Sequence, residues 1–351
     1  MSQLAIEILK KAKKEKATFV DLGNCGLTRY LPDELFDDYF IENLEELSLG
    51  NVTKNYLGSQ MEDRWVKYSF SEINYYKTPN KGNKNIFSNS SLNKISSLLC
   101  LSKLWIAYEY NVKGDLESMS FIKGCKNLEE IYIVNNQISK IEGLNEKLQT
   151  LRLSGNKISK IEALNLNLKT LDLGKNQINK IEGLNENLLT LNLSWNQISK
   201  IEGLNKNLET LELGWNKISK IEGLNKNLET LELGWNKISK IEGLNENLLT
   251  LDLSKNQIGN IEGLNENLKI LNLSENQISN IKGLNENLQT LYLGRNQISK
   301  IEGLNENLQS LELSENLINK INGLNKNLHT LNLFKNKINK LEGLNENLKI
   351  L

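Results

Sequence analysis

Residues 131–350 repeat every 20 residues, eleven times, without an insertion. No other feature constrains the chain as much, because a period this short has room for one strand and one return path and nothing more. In the copy spanning residues 291–310, six positions are aliphatic: Leu291, Leu293, Ile298, Ile301, Leu304 and Leu308. Asparagine fills one column in all eleven copies, from Asn136 to Asn336.

The spacing divides each copy into two halves. Leu308-x-x-Leu311-x-Leu313 ends in strict alternation, which predicts a short strand with leucines inward and their neighbours outward. Ile298-x-x-Ile301-x-x-Leu304 has period three, which predicts a 3₁₀-like return. Strand and return make one coil of a solenoid. The aliphatic residues of one coil cannot offset the entropy lost in ordering its backbone, so coils must stack to fold. After the strand the chain turns inward and buries backbone groups that need partners. An asparagine amide both donates and accepts there, and stacked copies are expected to form a ladder. The glycine column (Gly143, then Gly183 through Gly343, with Ala163 departing) suits a tight turn.

These L-x-x-L-x-L-x-x-N-x-I units resemble the leucine-rich repeat family, and the NQISKIEGL segments are most similar to repeats of the regulatory subunit of type-one protein phosphatase, which run two residues longer. The resemblance implies a right-handed α/β-repeat solenoid, or horseshoe. It would have a parallel concave sheet, a 3₁₀ or irregular convex side and an N-terminal helical cap. It also implies a role in binding proteins.

Residues 1–130 read as an irregular start of the same solenoid, and residues 131–351 as its regular part. Val20-DLGNCGL ends in the repeat pattern with Cys25 in the asparagine place, and Leu44-EELSL, Leu101-SKLWI and Leu128-EEIYI add strands. The equivalent positions 20, 47, 104 and 131 are separated by 27, 57 and 27 residues, so the middle interval predicts an insertion at about 53–93. An apolar stripe of Ala5, Ile6, Leu9 and Ala12 predicts a helix over residues 2–14 that covers the open end of the first coil. The opening AIEILKKAKKEKATFVDLGNCGLTRYLPDEL resembles N-termini of bacterial leucine-rich-repeat proteins, including Roco-type GTPases. At the other end Leu351 is the first strand position of a twelfth unit. The pattern therefore leads us to expect a longer polypeptide, or an apolar end open to end-to-end self-association.

Composition narrows the function. With 43 basic and 43 acidic residues, the chain lacks the basic excess of a nucleic-acid or anionic-membrane binder. No apolar run approaches the ~20 residues of a membrane span, and the N-terminus has no secretory apolar core. Three cysteines in so long a chain fit a reducing, cytoplasmic setting. A single histidine removes Ser-His-Asp triads, HExxH motifs and His-rich zinc sites, and neither phosphate-binding glycine motif is present. No catalytic residue, cofactor or metal is expected.

Partners of this architecture are read by the residues flanking the strand leucines, on the concave face. Trp195, Trp215 and Trp235 fall in one column of three consecutive coils and predict an aromatic ridge. Glu212, Glu232 and Asp252 lie beside it. Like charges on neighbouring strands cost stability, so they point to a basic partner. Residues 201–220 and 221–240 are identical, so duplication alone also accounts for part of this pattern. Trp105, Tyr108 and Tyr132 are expected on the same face, and the insertion either folds over them through Trp65, Tyr75 and Tyr76 or forms a solvated loop. Paired carboxylates suggest a glycosidase, but an open curved sheet offers no pocket to raise one pKa. The sequence therefore reads as a non-catalytic protein-binding module whose partner is basic or carries an apolar patch. The alternative is the sensor segment of a larger signalling enzyme such as a Roco-type GTPase.

Overall fold

The structure is a computed structural model that describes residues 2–28, 30–53, 76–109, 111–340 and 342–349. The chain forms two compact units: Met1–Ile178 with Gly183–Leu193, and Asn179–Glu182 with Ser194–Leu351.

The first unit opens with helix α1 (Gln3–Lys14), whose N-cap Ser2 accepts from the Ala5 N–H through its side chain. Ala5, Leu9 and Ala12 are buried, as a capping stripe requires, while Ile6 is half-buried. Strand β1 (Phe19–Asp21) follows, then the short helix α2 (Asp38–Asn43) and strand β2 (Glu46–Ser48). A small antiparallel pair, β3 (Val52–Thr53) and β4 (Tyr76–Lys77), brackets residues 54–75. Next come β5 (Lys103–Trp105), β6 (Glu130–Tyr132), β7 (Thr150–Arg152), β8 (Thr170–Asp172) and β9 (Thr190–Asn192). These strands, β3 and β4 apart, pair in parallel in chain order, and Val20, Leu47, Leu104 and Ile131 stand in register. The irregular spacing of 27, 57 and 27 residues thus resolves into one strand per coil.

The second unit stacks β10 (Thr210–Glu212), β11 (Thr230–Glu232), β12 (Thr250–Asp252), β13 (Ile270–Asn272), β14 (Thr290–Tyr292), β15 (Ser310–Glu312) and β16 (Thr330–Asn332). Leu211, Leu231, Leu251, Leu271, Leu291, Leu311 and Leu331 form one register line. Among the described residues each unit thus holds seven parallel strands.

Up to Leu331, five of the six repeated aliphatic positions are buried, and the sixth, Leu304 and its counterparts, is half-buried or more exposed; in the last copy Leu333, Ile338 and Leu348 are half-buried. The return path from the asparagine to the next strand is irregular. The 3₁₀ turns among the described residues lie in the first third instead, at Asp33–Phe36, Asn89–Ser97 and Ser120–Ile122. A left-handed glycine holds the regular return: Gly223 has φ +75°, and a Cβ there would run into the Ile201 carbonyl of the preceding coil.

Three asparagine ladders tie coil to coil. In the first, the Ile218 N–H donates to Asn236 Oδ1 at 2.9 Å, while Asn236 Nδ2 donates to the Leu213 and Leu233 carbonyls at 2.9 and 3.0 Å. One amide thus satisfies backbone groups of its own coil and of the coil before. The second ladder sits at the end of the return, where Asn225 Nδ2 donates to the Asn205 and Leu208 carbonyls at 2.6 and 3.0 Å. The third is exposed, with Asn227 Nδ2 donating to the Lys206 carbonyl.

The first ladder also spans the irregular coil. Asn85 Nδ2 donates to the Leu22 and Leu49 carbonyls and Asn85 Oδ1 accepts from the Leu27 N–H, so Asn85 fills the ladder position of the β2 coil. It lies 36 residues beyond Leu49 rather than three. The long interval is therefore inserted between a strand and its own ladder asparagine. Asn80 and Thr78 hold the inserted limb to β1: Asn80 Nδ2 donates to the Asp21 and Gly23 carbonyls and the Thr78 hydroxyl to Asp21 Oδ2.

Asn236→Ala should cost about 3 kcal/mol, because it orphans buried backbone groups on two coils. Asn227→Ala, at an exposed rung, should cost less than about 1 kcal/mol. Urea unfolding followed by far-UV circular dichroism, with amide exchange at Ile218, separates the two. Equal costs would remove the special role of the buried ladder.

Candidate partner-binding site

Each regular coil leaves its strand through a residue in the left-handed region, the fifth of the coil. All eleven occupants have φ between +53° and +72°, from Asn135 and Gly155 through to Lys335. Asparagine and glycine adopt this conformation readily, whereas a bulky side chain costs about 1 kcal/mol or more there. Trp195, Trp215 and Trp235 occupy it at φ +58°, +56° and +58°. The turn sets the three indoles one above another. Trp195 stacks on Trp215 with ring centroids 3.9 Å apart and planes 12° apart, and Trp215 on Trp235 at 3.7 Å and 15°. They remain 49, 36 and 40% exposed.

The same column continues as an alternating charge ladder. Lys255 Nζ lies 3.7 Å from the Trp235 ring centroid and 3.1 Å from Glu275. Arg295 bridges Glu275 and Glu315 at 3.3 and 3.1 Å, and Lys335 reaches Glu315 at 3.2 Å. The Lys335 and Arg295 contacts hold the Glu315 carboxyl below the usual carboxylate range. This ladder was present in the sequence as Lys255, Glu275, Arg295, Glu315 and Lys335 at 20-residue intervals. Its alternation becomes meaningful once the coils are known to stack in register.

The second residue of each coil faces outward from the sheet. Glu212, Glu232 and Asp252 lie there in register on β10, β11 and β12. Glu212 is 4% exposed, and Glu232 and Asp252 are half-buried. Asp252 accepts from the Ser254 N–H at 2.7 Å and from Asn272 Nδ2 at 3.1 Å. Burial, reinforced by Glu212 and Asp252, pushes the Glu232 carboxyl up to about 9, so it holds its proton at neutral pH. Burial also raises Asp252. The row is thus withdrawn from solvent and partly protonated, and does not present the exposed negative charge expected to attract a basic partner.

In the first unit, Trp105, Tyr132 and Tyr108 are 0, 2 and 3% exposed. Trp105 and Tyr132 stack at 3.6 Å with planes 5° apart, and the Tyr132 hydroxyl donates to Glu130 Oε2. The Tyr108 hydroxyl donates to the Asn85 carbonyl at 3.3 Å. These three aromatics therefore pack internally and offer no surface to a partner, which corrects their expected role. Trp105 and Tyr132 cover one another's faces, and Tyr108 lies under Lys84 and beside Gly114. Trp65 and Tyr75, and the side chain of Tyr76, lie outside the described residues.

Among the described residues no group of three or more His, Cys, Asp or Glu side chains is placed to hold a metal, and no helix is long and apolar enough to cross a membrane.

The raised Glu232 pKa has a direct consequence for stability. A carboxyl whose folded-state pKa lies above its unfolded value of 4.5 contributes stability that is complete below about pH 4.5 and is lost as pH rises through about 9. Glu232→Gln should therefore flatten the loss between about pH 5 and pH 9, and exceed the parent in stability by about 1–3 kcal/mol at the alkaline end. Denaturant unfolding across that range measures it, and parallel curves for the two proteins would place Glu232 in an ordinary solvated environment.

Comparison with known proteins agrees with this architecture. The family model described as Leucine Rich repeats (2 copies) matches residues 146–186 and 266–306. A second, described as Leucine Rich repeat, matches 184–200, 204–220, 224–240 and 244–261. Among curated proteins no sequence matches. In structure the chain is similar to an internalin of Listeria monocytogenes, at 26% identity and TM-score 0.61, over 73% of this chain and 81% of that one. It is also similar to a leucine-rich-repeat protein of Leptospira interrogans, at 25% identity and TM-score 0.60, over 93% and 87%. The leucine-rich effector YopM of Yersinia pestis shares the fold at 21% identity and TM-score 0.68, over 99% and 92%. Leucine-rich repeats are thus matched within residues 146–306, and the register lines and asparagine ladders give the chain the leucine-rich-repeat fold of these structures.

Proposed function

We propose that the chain is a non-catalytic protein-binding module whose contact surface is the tryptophan edge of the second unit. The observation that carries this reading is the stack of Trp195, Trp215 and Trp235, 36–49% exposed, in a backbone conformation that disfavours bulky side chains. Leucine-rich-repeat domains typically bind proteins, and a rigid stack of coils holds such an anchor in place without an ordering cost on binding. Exposed tryptophan is also the side chain most enriched among residues that dominate binding energy. The similarity of the NQISKIEGL segments to phosphatase regulatory repeats supports binding over catalysis. Cys25, Cys100 and Cys125 are free thiols, which suits a reducing compartment such as the cytoplasm.

Glycine substitutions test the surface without wrecking the fold. Trp215→Gly loses two stacking contacts worth about 0.5–1.5 kcal/mol each, but relaxes a left-handed residue by about 1 kcal/mol. Its net destabilisation should stay below about 2 kcal/mol. Proteins retained by the immobilised chain should be lost by the W215G/W235G double variant and kept by Glu302→Lys, a change at an exposed return-path position. Identical retention by all three proteins would remove the ridge as the binding surface.

A further inference from the structure

The stack decides which part of the tryptophans a partner can touch. Trp215 is covered on both faces, Trp235 by Trp215 and the Lys255 ammonium, and Trp195 on one face by Trp215. Five of the six ring faces are therefore occupied, and the exposed area is mostly ring edge. An indole edge is the positive end of the ring quadrupole and carries the N–H donor. Among the described residues nothing accepts from these three N–H groups.

Two exposed lysines follow the ridge in sequence. Lys217 and Lys237 follow Trp215 and Trp235 by two residues on the same turns, are exposed, and pair with no carboxylate among the described residues. The carboxyls nearest in sequence, Glu212 and Glu232, lie three residues before Trp215 and Trp235. The first is 4% exposed and the second is half-buried and holds its proton. The charges beyond Lys255 neutralise one another along their own ladder. The exposed charges nearest in sequence to Trp215 and Trp235 are thus Lys217 and Lys237, while the exposed Glu209 and Glu229 of the same coils stand before the strands, six residues away.

We propose that this edge binds an acidic segment of a partner protein, whose carboxylates accept from the indole N–H groups and pair with Lys217 and Lys237. The inference rests on the ridge being the binding surface. Aromatic side chains of the segment meet the indoles edge-to-face. A single-stranded nucleic acid, also anionic, would need free ring faces for its bases, and the stack has spent them.

The test uses four probes on the full chain. Three are peptides of equal length, each with two phenylalanines, in which the other residues are mainly Glu, Lys or Ser. The fourth is an oligothymidylate. Titration calorimetry should show saturable binding of the Glu peptide only. Affinity should fall about tenfold or more in K217E/K237E and be lost in W215G/W235G, each verified as folded by circular dichroism. Tighter binding of the Lys or Ser peptide, still lost in the tryptophan variant, would keep the ridge and overturn the acidic partner. Oligothymidylate binding more tightly than the Glu peptide overturns it as well, as does an unchanged affinity in K217E/K237E. Saturation by no probe also overturns the acidic partner, whereas the ridge itself stands or falls on partner retention by the glycine variant.

Discussion

The inward turn after each strand is the constraint on which the rest of the structure depends. It removes backbone carbonyls and N–H groups from water, and each such group left unpaired would cost as much as a good apolar contact contributes. One asparagine per coil answers this, accepting an N–H of the preceding coil and donating to carbonyls of both. Because its hydrogen bonds cross between coils, the rung fixes spacing and register as well as satisfying polarity. Every column of side chains on the surface inherits that register. The indole stack, the carboxyl row and the alternating ladder from Lys255 to Lys335 are all consequences of it.

The same register makes repetition chemically productive. A residue type recurring at 20-residue intervals lands beside its own copy about 4.8 Å away, so identical neighbours become stacks or repulsions. Tryptophans placed this way bury one another's faces and leave their edges. Carboxylates placed this way must give up charge, as Glu232 does between Glu212 and Asp252. Alternating signs become a self-neutralised line. The solvent-facing character of the surface is therefore set by column order along the solenoid more than by the composition of any single coil.

Much of the fold was legible in the residues. The 20-residue period, the alternating leucines, the asparagine column and the stripe of Ala5, Leu9 and Ala12 each correspond to an element with an evident physical purpose. The irregular coils yielded their strand positions too, since Val20, Leu47, Leu104 and Ile131 share a register line. Asn85 was harder to recognise, because 36 residues separate it from the strand whose carbonyl it satisfies, and sequence spacing gives no hint of that closure. The candidate site was read less well. The tryptophan column does stack, but Trp105, Tyr108 and Tyr132, expected on an open face, are buried.

The sequence by itself determined the periodic architecture, because period, aliphatic pattern and asparagine column are local and repeat identically in every coil. It also determined which residues share a column. Only the tertiary structure decided what each column presents, since exposure and protonation depend on the neighbouring coils. Stacking turned four indole ring faces onto one another, burial kept a proton on Glu232, and burial also withdrew Glu212 while Lys217 and Lys237 stayed in solvent. The physical reason is that charge and accessibility are properties of a neighbourhood, and in a solenoid the neighbourhood is one full repeat away in sequence.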